Sequence, residues 1–123
     1  MNIVKNSSLV IDLLFTNVGF SIDKLSNQKC LESQMIQTVN QAKREINNRL
    51  CITLATVDDG SAPWNAPVYS ASDPKYNFYW MSSFSSQHST NIRHNSRTFA
   101  VVYDSAAPEG TGFGVYLRGN YTN

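Results

Sequence analysis

Two periods of apolar residues divide the chain. Between positions 31 and 50 hydrophobic residues recur at spacings of three and four: Leu31, Met35, Val39, Ala42, Ile46 and Leu50. That stripe predicts a helix packed on a sheet, with Gln37, Asn40, Lys43 and Arg44 turned to water. Beyond it the period drops to two. Cys51 to Val57 is a β-branched strand run, and Asp58-Asp59-Gly60 is a turn in which Gly60 is expected to supply a positive φ. A second strand is predicted around Trp64 to Ser70. Pro63 and Pro67 each remove a backbone donor, so this strand should be short, bulged or partly at an edge.

Ser72-Asp73-Pro74-Lys75 is a further turn, and Tyr76 to Met81 is a third strand dense in aromatics. A polar run from Ser82 to Asn91 follows. Its second half is predicted to form a short helix to about Asn95, with Ser85 or Ser86 at the N-cap. Thr98 to Tyr103 and Phe113 to Arg118 are the fourth and fifth strands, joined by a Pro- and Gly-containing loop from Ala106 to Gly112. Short strands after one helix predict a mainly β fold with flanking helices, a small antiparallel barrel. Residues 1–28 show no clean period and are taken as an N-terminal extension. Residues 29–123 are taken as the domain.

Composition narrows the functional classes. The chain has 123 residues, enough for one domain. Aromatics at 11% supply apolar surface for a core, although charged residues are only 15%. Ten Lys and Arg against nine Asp and Glu give a net charge of +1, which leaves no strong electrostatic case for nucleic acid or an anionic membrane. The apolar run from Ser8 to Phe15 is interrupted by Asp12 and is too short to span a bilayer. Cys30 and Cys51 form no CxxC pair and are expected to be small buried thiols in a reducing cytoplasm.

The familiar catalytic patterns are missing. His88 and His94 are six residues apart, about 600° of helical rotation, so they diverge and have no metal-type company. No nucleophile elbow and no glycine-rich phosphate loop is present. No catalytic residue is assigned. One segment does combine suitable groups: Ser82 to His88 holds four serines, a glutamine and a histidine between a strand end and a helix start. Free N–H groups of a first helical turn, serine hydroxyls and a protonated imidazole suit a phosphate monoester. A solvated loop with an N-cap is the ordinary alternative.

The order of segments resembles the pyridoxamine 5'-phosphate oxidase-like family of FMN-binding split barrels. Leu54-Ala55-Thr56-Val57, Gly60 and Ala66-Pro67-Val68 resemble its opening strands. Phe78-Tyr79-Trp80-Met81-Ser82-Ser83 resembles its third strand. Ser86-Gln87-His88-Ser89-Thr90-Asn91-Ile92, followed by Asn95, resembles its Ser-x-Lys-x-x-Asn-Leu segment and the Asn-Pro beyond. Phe99 to Val102 and Gly114 to Gly119 resemble the next two strands, so the likeness runs over about residues 32–120.

The resemblance implies a homodimeric barrel with FMN at the subunit interface, acting as a cytoplasmic oxidoreductase on a small molecule that the sequence does not identify. It implies that Ala66, Pro67 and Val68 lay backbone along the flavin ring. It implies that Ser82 and Ser83 meet the flavin or its phosphate tail, and that Ser86, Gln87 and His88 grip the phosphate. The alternative is a module that binds or stores flavin, deazaflavin or haem without turnover. Two departures matter. The oxidases proper carry Arg at the position of Ala66 and Arg-Lys at those of Gln87 and His88, so an anion here must rely on amides, hydroxyls, His88, or Arg93 or Arg97. The family's barrel also has a sixth strand and a closing helix, so this barrel is expected to be incomplete at the C-terminus. Residues 1–28 or a dimer partner are then expected to cover the open edge. Trp64, Tyr69 and Trp80 offer stacking surface for a ring, or core and dimer packing.

Overall fold

Alternation in the sequence becomes alternation in burial. In the strand Cys51–Val57, Ile52, Leu54 and Thr56 are buried while their neighbours face outward. The computed structural model describes the backbone of residues 2–4, 7–10 and 26–122, with side chains from residue 29 onward. The described elements are β1 (Asn2–Val4), β2 (Ser7–Val10), α1 (Ser26–Asn48), β3 (Cys51–Val57), β4 (Pro63–Ser72), β5 (Phe78–Ser82), α2 (Gln87–His94), β6 (Arg97–Tyr103) and β7 (Gly114–Tyr121). The strands form one antiparallel sheet in the order β1-β5-β4-β3-β6-β7-β2. The fold is mainly β with two flanking helices, as the periodicity indicates, and no ladder closes the sheet between β1 and β2.

The inner face of the sheet holds the core. Leu54, Val68, Phe78, Trp80, Val102, Val115 and Leu117 meet there, joined by Ile92 from α2. Val102, Val115 and Leu117 are fully buried. Helix α2 lies against β3 and β4, and α1 against β6 and β7.

Strand β4 runs longer than expected, through both prolines, and its register explains how. Ser70 donates to the Leu50 carbonyl at 2.9 Å, so even-numbered residues of β4 bond to β3. Pro63 and Pro67 therefore point their donor-less nitrogens away from β3. On that far side β5 pairs only with Ser70, Ala71 and Ser72. The prolines occupy the one-sided half of the strand, where no donor is required.

Several expectations need correction. The apolar stripe of α1 is only partly used: Ala42 and Ile46 in the second half of the helix are buried, Leu31 and Met35 in its first half are exposed, and Leu50 falls beyond its end and is exposed as well. Both cysteines are exposed rather than buried. Cys51 takes an outward position at the start of β3, and Cys30 lies on the uncovered half of α1. In the β3–β4 turn the positive φ falls on Ser61 (65°) and not on Gly60. Ser61 N–H closes the turn on the Asp58 carbonyl at 3.1 Å, and the residue after such a turn enters the left-handed region. The β4–β5 turn is organised by Asp73, whose carboxylate accepts from Lys75 N, Asn77 N, Asn77 Nδ2 and Tyr79 Oη. These bonds, led by the Asn77 side chain, hold its pKa below the ordinary aspartate value.

Within the segment 1–28, β1 pairs with β5 and β2 with β7, so both outer strands of the sheet come from it. The start of α1 at Ser26 also falls inside it. Residues 11–25 lie outside the described residues.

Leu54→Ala is expected to lower unfolding free energy by about 2–5 kcal/mol, because a 2% exposed side chain leaves a cavity. Leu31→Ala should change it by less than about 0.5 kcal/mol. Chemical denaturation of both variants measures the difference. Equal losses would show that the core extends along the first half of α1.

Candidate functional site

The polar segment after β5 folds into a tight serine–histidine cluster. Ser86 is the N-cap of α2, with extended backbone angles and its hydroxyl 3.4 Å from the Ser89 N–H it caps. Ser86 Oγ also donates to the Ser83 carbonyl at 2.9 Å, and Ser89 Oγ lies 2.8 Å away. His88 Nε2 reaches back across the junction, 2.7 Å from Ser82 Oγ and 3.2 Å from Ser86 Oγ. Ser83 and Ser85 pair their hydroxyls at 3.0 Å on the exposed side. Burial pushes the pKa of His88 below the ordinary histidine value.

A buried polar contact sets where this cluster sits. Thr56 faces inward from β3 and accepts from Asn91 Nδ2 at 3.0 Å. Asn91 Oδ1 in turn accepts from Gln87 Nε2 at 2.8 Å. Asn91 and Thr56 are 1% and 3% exposed, so their polar groups depend on one another for partners. This pair ties α2 to β3 and fixes the position of its first turn. The sequence reading missed it, although Thr56 falls on the inward beat of β3 and Asn91 is four residues from Gln87, one helical turn.

Of the residues expected to surround a phosphate, Ser82, Ser83, Ser86 and His88 come together. Gln87 does not join them with its side chain, which is engaged by Asn91. Its backbone N–H and that of His88 lie in the first turn of α2, where no helical carbonyl precedes them. No acidic residue lies in that turn. Arg93 is committed elsewhere: its guanidinium stacks 3.8 Å from the Phe84 ring centroid and donates to the Phe84 carbonyl and Thr90 Oγ1. It therefore braces the loop 83–86. Arg97 starts β6 and lines a different cavity.

The remaining expected residues lie on β4. The β4–β5 ladder stops at Ser70 opposite Trp80, and the next partners in register, Tyr69 and Met81, are outside it. Past that point the strands separate. The alternation along β4 turns the Asn65 amide and the Pro67 carbonyl toward the opening. Val68 is a core side chain and Ala66 is half-buried, so both present only backbone there. On the outer face of the same two strands, Leu50, Tyr69, Ala71, Tyr79 and Met81 line an apolar cavity of about 350 Å³. Trp80 is in the core and is not a stacking surface. Tyr69 is 71% exposed.

Among the described residues no group of three His, Cys, Asp or Glu side chains is placed to hold a metal ion. No helix among them is long and apolar enough to cross a membrane.

No protein-family model matches the chain, nor does any curated protein. The fold is similar to solved structures. Atu2129 of Agrobacterium tumefaciens strain C58, a protein of unknown function, superposes with a TM-score of 0.58 at 18% identity, over 68% of this chain and 37% of its own. Rv2991 of Mycobacterium tuberculosis, a conserved hypothetical protein, superposes with a TM-score of 0.56 at 22% identity, over 67% of this chain and 49% of its own. The chain thus spans less than half of each of these structures.

An imidazole whose folded pKa is lowered contributes stability that is present above its unfolded value of about 6.5 and is lost as pH falls below that value through the lower folded one. Wild type is therefore expected to lose thermal stability between pH 7.5 and 5.5 (about one unit either side of that value) more steeply than His88→Asn. Matching pH slopes would place the buried, charge-resisting group elsewhere.

Proposed function

We propose that the chain binds FMN and acts as a flavin-dependent oxidoreductase of the pyridoxamine 5'-phosphate oxidase-like kind. The observation that carries this reading is the gathering of Ser82, Ser83, Ser86 and His88 at the first turn of α2, in a sheet whose strands β4 and β5 also carry an apolar groove on their outer face. A phosphate-tailed flat ring needs both: donors and positive potential for the anion, and apolar surface for the ring.

The donor set fits the cofactor's tail. The hydroxyls of Ser82, Ser83 and Ser86, the N–H groups of Gln87 and His88, and the imidazole would hold the phosphate. The Asn65 amide and the Pro67 carbonyl would face the ring edge. Bound flavin supplies reversible hydride and electron transfer, and no protein acid or base is obligatory for that step. The chain's own residues bind the tail, orient the ring and exclude water from one side. His88 carries a proton at Nε2 when an anion lies against it. With neutral donors replacing the family's cations, the tail is held by hydrogen bonds more than by charge.

Leu50, Tyr69 and Met81 are 75%, 71% and 53% exposed along the groove, which favours a second copy of the chain as its cover. The reading is therefore a homodimer with the flavin between subunits. The substrate is a small molecule, and the compartment is the cytoplasm, consistent with two exposed thiols left unpaired.

The test is reconstitution. Wild type incubated with FMN and desalted is expected to stay yellow and to bleach on addition of a nicotinamide donor. Retention without bleaching would point instead to a storage module. No retention would remove the proposal. His88→Ala should weaken FMN binding by roughly tenfold, the magnitude of a lost charge-assisted hydrogen bond. Wild-type affinity should rise from pH 8 to about 6.5, because the bound anion favours the imidazolium. His88→Ala should lack that rise. Fluorescence titration at each pH reads both effects.

A further inference from the structure

A second cavity, of about 560 Å³, lies across β3, β6 and β7, and its lining differs in character from the serine cluster. Register places its outward-facing residues in two cross-strand rows. Ala55, Phe99 and Arg118 stand side by side in one, since Ala55 pairs with Phe99 and Phe99 with Arg118. Val57 borders the second row, in which Arg97 pairs with Asn120. The floor is apolar and includes the Phe99 ring, which packs 6.3 Å from that of Tyr116. Among the described residues that line the cavity, the charged ones are both arginines.

That arrangement sets two positive charges on one face of the sheet. Arg97 and Arg118 are diagonal neighbours on adjacent strands, roughly 7–8 Å apart at the backbone. Arg118 has further interactions of its own. Arg97 is exposed, and among the described residues no carboxylate lines the cavity beside it. Asn95 fixes the near end by accepting the Arg97 N–H on its Oδ1 at 3.1 Å, which turns the amide's own donor group away from that backbone contact. Guanidinium forks beside a flat apolar floor match one ligand chemistry: a single carboxylate or phosphate head on a flat, apolar body.

We propose that the β3–β6–β7 cavity is a binding site for such a small aromatic anion, with Arg97 holding its charged head and Ala55, Val57 and Phe99 receiving its body. The site is separate from the β5–α2 junction, and the proposal does not rest on the flavin reading.

The probe is phenyl phosphate, titrated by calorimetry into wild type, Arg97→Gln and His88→Asn, with inorganic phosphate as a comparison. Arg97 is an exposed strand residue, so its variant should fold, and an unchanged unfolding temperature confirms that it does. Saturable binding to wild type, weakened about tenfold or more in Arg97→Gln and weaker for inorganic phosphate than for phenyl phosphate, would support the proposal. Equal binding by wild type and Arg97→Gln would overturn it, as would no saturable binding at millimolar concentrations. Binding that survives in Arg97→Gln but falls in His88→Asn would also overturn it, while placing the anion at the β5–α2 junction.

Discussion

The buried hydrogen bond from Asn91 to Thr56 is the contact on which the site depends. A short polar helix has little apolar surface with which to dock. Ile92 gives α2 one buried hydrophobic side chain, and Asn91 gives it a directional tie to β3. An amide and a hydroxyl buried together leave little freedom in register, because either one alone in the core would be unsatisfied. The first turn of α2 is therefore held at a set height above the sheet. That height brings His88 within reach of Ser82 across the junction. Arg93, stacked on Phe84, secures the intervening loop from the other side.

A second constraint is the parting of β4 and β5. Prolines at 63 and 67 make one edge of β4 unsuitable for a full ladder, and the register leaves that edge without a strand partner where the prolines sit. An opening between two strands of a sheet exposes main-chain groups that would otherwise be paired. Here the opening lies next to a helix start and an apolar outer groove. Main-chain donors and a positive helix end thus lie near one another without an ionic anchor. Burial holds the imidazole of this cluster below the ordinary histidine pKa, so it is neutral in the cluster at neutral pH.

Much of the fold was legible because burial follows simple periods. The alternation from Cys51 to Val57 marks β3 to the residue, and the same alternation marks the inner positions of β6 and β7. The N-cap at Ser86 was one of two serines expected there, and local capping chemistry is readable from sequence. Other features depend on distant partners and were not legible. The stripe of α1 is continuous in sequence, yet only Ala42 and Ile46 find the sheet. The strands β1 and β2, of 3 and 4 residues, are too short to show a period, and they join the sheet only through distant partners, β5 and β7. Gln87 looked like a ligand donor, but Asn91 one turn away takes its amide. The row that sets Arg97 near Arg118 exists only through the β6–β7 register.

An amide-resolved NMR titration of the isotope-labelled chain with FMN tests the central claim most directly. The account expects saturable shifts concentrated at Ser82, Ser83, Gln87 and His88, with a second group from Asn65 to Ala71. Shifts absent at those amides, or confined to residues around Arg97 and Arg118, would contradict it.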